Sequence, residues 1–149
     1  MHQTSLASEY RPQVNSSEVY TNGNMYTGQK KDNLRHGKGK YLYNDGSYYY
    51  GDWFKGKMEG NGKLYDCDGN VEYEGQWKDD HYEGKGTLFG LGGVDWIKYE
   101  GEFKNGKMEG FGEMIFRDGN RYKGEFRNDY PWGKGRMFSS TGEIQAGFW

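Results

Sequence analysis

Apolar and charged side chains alternate in short runs that return at a fixed interval. In Tyr99-Glu100-Gly101-Glu102-Phe103, every second residue is aromatic or small and the residues between are acidic. That alternation predicts a strand with one buried and one wet face, on which Tyr99, Gly101 and Phe103 lie together. The pattern recurs as Tyr49-Tyr50-Gly51-Asp52-Trp53, Tyr73-Glu74-Gly75-Gln76-Trp77 and Tyr122-Lys123-Gly124-Glu125-Phe126. A helix is disfavoured, because each interior glycine costs about 1 kcal/mol against alanine there and the chain has 26 of them, evenly spread. Pairs tolerant of positive φ follow each run, among them Asp32-Asn33, Asp79-Asp80, Asn105-Gly106 and Asn128-Asp129, which predict tight hairpin turns.

A second strand then enters through a Gly-x-Gly step: Gly37/Gly39, Gly60/Gly62, Gly84/Gly86, Gly110/Gly112 and Gly133/Gly135. Two residues further on, in phase with the glycines, stand Tyr41, Leu64, Leu88, Met114 and Met137. Asn22-Gly23, Asp45-Gly46, Asp68-Gly69, Asp118-Gly119 and Thr141-Gly142 mark the turn between one hairpin and the next. The leading glycines Gly28, Gly51, Gly75, Gly101, Gly124 and Gly147 are separated by 23, 24, 26, 23 and 23 residues. A period in that range denotes a repeat array. Glycine weakens a strand unless something lies close against it, so the expectation is that Tyr, Trp and Phe rings from adjacent strands cover the bare backbone. Substituting Gly101→Val is then expected to displace the ring above it. The predicted fold is all-β: an elongated single-layer antiparallel β-meander of about five and a half hairpin repeats, roughly 50 Å long at about 4.8 Å per strand. Contacts in such an array are local.

Composition sharpens this picture. Apolar residues make up 33% of the chain and aromatic ones 18%, so rings outnumber aliphatic side chains and must form most of any core. A formal charge of −2 argues against disorder and against a nucleic-acid footprint. A lone cysteine, Cys67, excludes an internal disulfide, and no apolar run resembles a secretion signal or a membrane span. The expected setting is cytoplasmic.

Tyr-x-Gly-x-Trp/Phe followed by Gly-x-Gly and Asp/Asn-Gly, about every 23 residues from Gly23 to Trp149, resembles the membrane occupation and recognition nexus (MORN) repeat. The resemblance implies a single-layer β-ribbon that serves as an assembly platform in cytoskeletal, ciliary and junctional complexes, or as an appendage to enzymes such as lipid kinases and methyltransferases. The repeats fall at about 23–45, 46–68, 69–95, 96–118 and 119–141, with a partial copy at 142–149, and residues 1–22 read as an extended tail. Two copies depart from the pattern. Lys30 stands where a ring follows the leading glycine in the middle copies, and Gln145 fills the tyrosine slot of the last, leaving an open strand edge for a partner or a second copy.

Irregular segments supply the candidate contact residues. The stretch 90–98 replaces an ordinary turn, and insertions in arrays fall on one face, so Leu91, Trp96 and Ile97, with Phe148 and Trp149 at the final strand, are candidate partner-binding residues. Lys30, Lys31, Arg35, Lys38 and Lys40 form a basic edge in the first copy, a candidate for weak contact with anionic phospholipid. Catalytic and cofactor chemistry is not expected. Gly84-Lys85-Gly86-Thr87 lacks the span of a phosphate loop, and His2, His36, His81 and Cys67 have no metal-ligand spacing. Glu59, Glu83 and Glu109 recur in phase and are expected to solvate a face or to pair with Lys57 or Lys107. The leading expectation is a noncatalytic scaffold binding other proteins in a ciliary, axonemal or cytoskeletal assembly. A peripheral lipid-binding module is the alternative.

Overall fold

The structure is a computed structural model that describes residues 14–149. Twelve strands follow one another: β1 (Val14–Val19), β2 (Met25–Lys31), β3 (Leu34–Leu42), β4 (Tyr48–Phe54), β5 (Lys57–Tyr65) and β6 (Val71–Lys78) in the first half. The second half holds β7 (His81–Phe89), β8 (Trp96–Lys104), β9 (Lys107–Phe116), β10 (Arg121–Arg127), β11 (Tyr130–Ser139) and β12 (Gly142–Phe148). Every strand pairs antiparallel with its sequence neighbours in a single sheet, β1 to β12 in order. The all-β meander expected from the sequence is the fold. Five tight turns carry the positive-φ pairs Asp32-Asn33, Lys55-Gly56, Asp79-Asp80, Asn105-Gly106 and Asn128-Asp129. Such pairs give the primed turns whose twist matches that of the flanking strands.

The tail expectation needs correction. Residues 1–13 lie outside the described residues, but Val14–Val19 forms β1 and pairs in register with β2, from Val14 opposite Lys30 to Val19 opposite Met25. This strand has no glycine and no tyrosine in the repeat's phase, so periodicity could not flag it.

Each hairpin contains the same bulge. In β4 and β5, Gly51 pairs with Gly62 and Trp53 with Met58, so Asp52 alone faces Glu59, Gly60 and Asn61. The surplus residues break the ladder, and Asp52 Oδ2 repairs it by accepting the Asn61 amide at 2.9 Å. Gln29, Gln76, Glu102 and Glu125 do the same for the amides of Lys38, Lys85, Phe111 and Lys134. Gly60 takes φ +100° inside the bulge, a conformation that residues with a side chain rarely adopt.

Rings lie over the glycines as expected, with one refinement: tyrosine is the covering ring. A Cβ built on Gly62 would sit 2.3 to 2.5 Å from Oη, Cε1 and Cζ of Tyr49. Gly101 is different, because its Cβ would meet Gly112 Cα at 2.5 Å and Phe111 O at 2.6 Å as well as Tyr99 Oη at 2.6 Å. The expected damage from Gly101→Val therefore comes from the close approach of two backbones as much as from a displaced ring.

Each covering tyrosine ends on a backbone carbonyl three residues on. Tyr26, Tyr49, Tyr73, Tyr99 and Tyr122 donate to the carbonyls of Gln29, Asp52, Gln76, Glu102 and Glu125 at 2.6 to 2.9 Å. All five tyrosines are fully buried. Trp53 and Trp77 add a bond from the indole to the carbonyls of Gly39 and Gly62, both at 3.0 Å. The rings join edge to face in one line: Tyr26, Trp53, Tyr49, Trp77, Tyr73, Phe103, Tyr99, Phe126, Tyr122 and Trp149, with centroids 4.7 to 5.4 Å apart. A strand glycine costs about 0.5–1 kcal/mol relative to alanine, whereas burying a large apolar side chain gains about 1.5–3 kcal/mol. The exchange favours the bare backbone.

Candidate interaction surface

The line of rings occupies one face of the sheet, and partly exposed apolar side chains flank it. Tyr20, Tyr41, Leu64, Tyr82, Leu88, Trp96, Phe116, Met137 and Trp149 pack against the buried cluster while keeping some contact with solvent. Tyr41 tilts against Tyr43 at 5.0 Å, and Tyr82 stacks on Tyr73 at 3.9 Å. Hairpin tips close one rim of this face. The amides of Gly56, Asp80, Gly106 and Asp129 donate to the carbonyls of Arg35, Met58, Tyr82 and Met108, each on the second strand of the preceding hairpin. Side chains repeat the stitch, since Asp80 and Asp129 accept the amides of Met58 and Met108 at 2.8 and 2.9 Å. Lys107 pairs with Asp129 at 3.7 Å and Glu83 accepts the Asn105 amide at 3.1 Å. The expected Lys107 pairing with a periodic glutamate is thus replaced by a turn aspartate.

Polar groups take over the ring positions of the first repeat. Lys30 stands where Trp53, Trp77, Phe103 and Phe126 stand in later copies, and Arg35 stands where Met58, Tyr82 and Met108 stand. The Arg35 guanidinium lies 4.9 Å from the Trp53 ring and 5.0 Å from Tyr41, with Tyr20 and Tyr26 at 5.8 and 5.9 Å. It donates to Tyr20 Oη and to the Gly56 carbonyl, both at 3.1 Å. Lys30 forms an ion pair with Glu18 of β1, and Glu18 also accepts the Tyr20 hydroxyl at 2.7 Å. These two bonds, that from Lys30 foremost, hold the Glu18 carboxyl below its ordinary pKa. Desolvation pushes the Tyr26 hydroxyl up to about 12.

The five cations expected to form one basic edge are divided between two faces. Lys30 and Arg35 face the rings, whereas Lys38 and Lys40 alternate with Gly37, Gly39 and Tyr41 and so project from the opposite side. Lys38 is ion-paired with Asp52, which raises its pKa. Lys40 Nζ lies 4.3 Å above the Tyr48 ring, and Lys31 is exposed beside the hairpin tip.

Among the candidate partner-binding residues, Trp96 opens β8 and packs against the buried rings, pairing with Phe116. Leu91 is half-buried and Ile97 exposed. Arg117 clasps the segment 90–94 by donating to the carbonyls of Val94 and Gly90, each at 2.8 Å. Trp149 is the last ring of the stack, 5.1 Å from Tyr122, and its amide and carbonyl pair with Gly133. Its place, two residues after Gly147, matches that of Trp53 after Gly51 and was legible in the spacing. Phe148 is 77% exposed and faces the other way. Tyr43 and Tyr82 went unnoticed in the sequence, although Tyr43 falls four residues after Gly39 and Tyr82 falls in phase with Met58 and Met108.

The MORN repeat family profile matches residues 26–48, 49–71, 73–90, 99–121 and 122–144, most of the chain. MORN repeat-containing protein 3 of Xenopus laevis is 42% identical over 78 residues, 48% of this chain and 33% of the frog protein. Human alsin is 35% identical over 80 residues, which are 48% of this chain and 5% of alsin. Phosphatidylinositol 4-phosphate 5-kinase 1 of Oryza sativa is 44% identical over 43 residues, 29% of this chain and 5% of the kinase. The chain therefore spans a third or less of the length of these relatives. The five profile matches coincide with the glycine-bearing hairpins and the tyrosines that cover them, and the chain belongs to the MORN repeat family.

Proposed function

We propose that this protein is a noncatalytic scaffold that docks partner proteins on its ring face, within a cytoplasmic assembly of the ciliary or cytoskeletal kind. MORN repeats are modules for protein and membrane interaction, and the repeat fills most of this chain. The observation that carries the reading is the band of partly exposed apolar side chains, from Tyr20 and Tyr41 to Met137 and Trp149, that flanks the buried rings and is rimmed by stitched hairpin tips. A row of partly exposed apolar side chains on one face is typical of contact surfaces. Its tyrosines serve structure rather than proton transfer, because desolvation raises their pKa values and their hydroxyls are committed to carbonyls. A general base needs a pKa near the working pH. Protein docking is favoured over anionic lipid because Lys30 and Lys38 already hold carboxylates and the five cations do not share a face.

A photo-crosslinking amino acid placed in cells at Tyr43, on the ring face, is expected to capture protein neighbours. The same group at Tyr50, 51% exposed on the opposite face, is expected to capture few. Capture from position 50 alone, or from neither position, would overturn the reading.

A further inference from the structure

The first and second repeats solve one packing problem in two ways. In the first, the site equivalent to Met58 and Met108 is filled by Arg35, whose guanidinium rests among Tyr20, Tyr41 and Trp53 with a tyrosine hydroxyl and a carbonyl as acceptors. In the second, Met58 takes the place of Arg35, and the equivalents of its neighbours, Tyr43, Leu64, Trp77 and Asp80, line with Met58, His81 and Tyr82 a cleft of about 260 Å³ that reaches Gly106 at the next hairpin tip. That volume lies below the usual 300–1,000 Å³ of small-molecule pockets and suits one side chain of a larger partner. A second cleft adjoins it, sharing Tyr43 and Leu64 and adding Asp45 and Glu72.

Carboxylates surround these rings. Asp80 lines the first cleft, and Glu72 accepts a long bond from the Tyr82 hydroxyl at 3.4 Å. Neither cleft is lined by lysine or arginine, and the one basic side chain on the wall of the first is His81, whose Nδ1 lies 2.7 Å from the Asp79 carbonyl. Aromatic faces attract cations through their quadrupole, and nearby carboxylates add to that attraction, most of all where water is partly excluded. Arginine is the better fit of the two basic residues, because its planar guanidinium stacks on rings and still directs N–H groups to acceptors at its edge. The protein's own Arg35 shows that this aromatic face holds a guanidinium.

We infer that the cleft between Tyr43 and Tyr82 receives an arginine side chain of a partner protein, with Glu72 and Asp80 as its counter-charges. The assignment rests on the ring-face docking reading and gives that site a ligand chemistry. The occupant is a segment in which arginine is flanked by apolar residues, the arginine entering the cleft against Leu64 and Trp77 and its neighbours resting on the partly exposed Tyr41 and Leu88 to either side.

The test is NMR titration of the full chain with acetyl-Leu-Arg-Leu-amide, with the Leu-Gln-Leu and Leu-Lys-Leu peptides as controls. The expected result is an upfield ring-current shift of the arginine δ-methylene, with perturbed ring resonances of Tyr43 and Tyr82. Glu72→Gln and Asp80→Asn together are expected to weaken binding at least fivefold. Glu100→Gln, on the opposite face, is expected to leave it unchanged. Amide spectra of each variant establish that the fold is intact, and Glu72→Gln alone, which keeps a hydrogen-bonding side chain, serves if the pair unfolds. Equal binding of the glutamine or lysine peptide at these rings would overturn the arginine assignment while leaving ring-face docking in place. An arginine shift undiminished by loss of the carboxylates would overturn it too.

Discussion

The middle repeats and the first repeat hold the same hairpin together by different physics. From β4 to β10 Tyr49, Tyr73, Tyr99 and Tyr122 are each clamped over a glycine, the hydroxyl bonded to its own strand and the ring edges packed against tryptophan or phenylalanine. In β1 to β3 the tyrosine over glycine remains, as Tyr26 over Gly39, but Lys30 and Arg35 stand where apolar side chains stand elsewhere, and Glu18 comes from outside the repeat to neutralise one of them. The middle is fastened by shape, which salt does not weaken. The first repeat relies partly on charge at a partly exposed site, which screening and pH do weaken.

The largest expected effect falls on the shape-held region. Gly62→Ala introduces no forbidden φ but puts a methyl within 2.5 Å of the Tyr49 ring, which is buried with no room to retreat. A loss of about 3 kcal/mol in urea unfolding is expected, the upper part of the range for overpacking. Gly147→Ala, whose Cβ meets nothing within 4 Å, is expected to be near neutral. Equal losses at the two sites would erase the distinction.

Alkaline pH is next in size and acts on the middle through titration. Burial raises the pKa of Tyr26 to about 12 and moves those of Tyr49, Tyr73 and Tyr99 in the same direction. Between the ordinary value of 10 and the raised folded values, the unfolded chain has lost the protons that the folded chain retains, so stability falls as pH rises through that window. Denaturant midpoints should be flat up to about pH 9 and drop steeply beyond 10. Tyr49→Phe removes the bond to the Asp52 carbonyl and is expected to cost about 1 kcal/mol.

The first repeat should respond at the opposite end of the pH scale. Glu18 has a lowered folded pKa, so its contribution is present above the ordinary 4.5 and is lost as pH falls through the folded value. Protection factors of β1 amides, corrected for the pH dependence of intrinsic exchange, should fall on acidification and in Glu18→Gln at neutral pH, with those of β5 to β9 unchanged. If β1 stays as protected as the middle strands in both conditions, charge is not what attaches it.

Legibility in the sequence follows the same division. Where rings and glycines recur, strands, tight turns and the covered backbone could all be read from spacing, because shape complementarity demands the same residue types in every copy. β1 could not, since Val14-Asn15-Ser16-Ser17-Glu18-Val19 carries none of the repeat's residues and is recognised only by its partner strand. The bulge-spanning side chains Gln29, Asp52, Gln76, Glu102 and Glu125 were visible as alternating polar residues, but their amide partners nine residues on depend on a register that only the fold supplies. The basic edge misled because neighbours in sequence alternate between faces in a strand. Trp149 lies on the ring side for the same reason that Trp53 does, by phase with the leading glycine, whereas Trp96, five residues before Gly101, is out of that phase and reaches the ring side through the register shift between Trp96 and Lys98.

The central claim is that each second glycine of the Gly-x-Gly step is bare because a tyrosine ring occupies the space of its side chain. A double-mutant cycle in urea between Gly62→Ala and Tyr49→Leu tests it most directly. The account predicts that the alanine costs about 3 kcal/mol beside Tyr49 and at least 1 kcal/mol less beside leucine, which is shorter and does not reach across to Gly62. An alanine equally damaging in both backgrounds would contradict it.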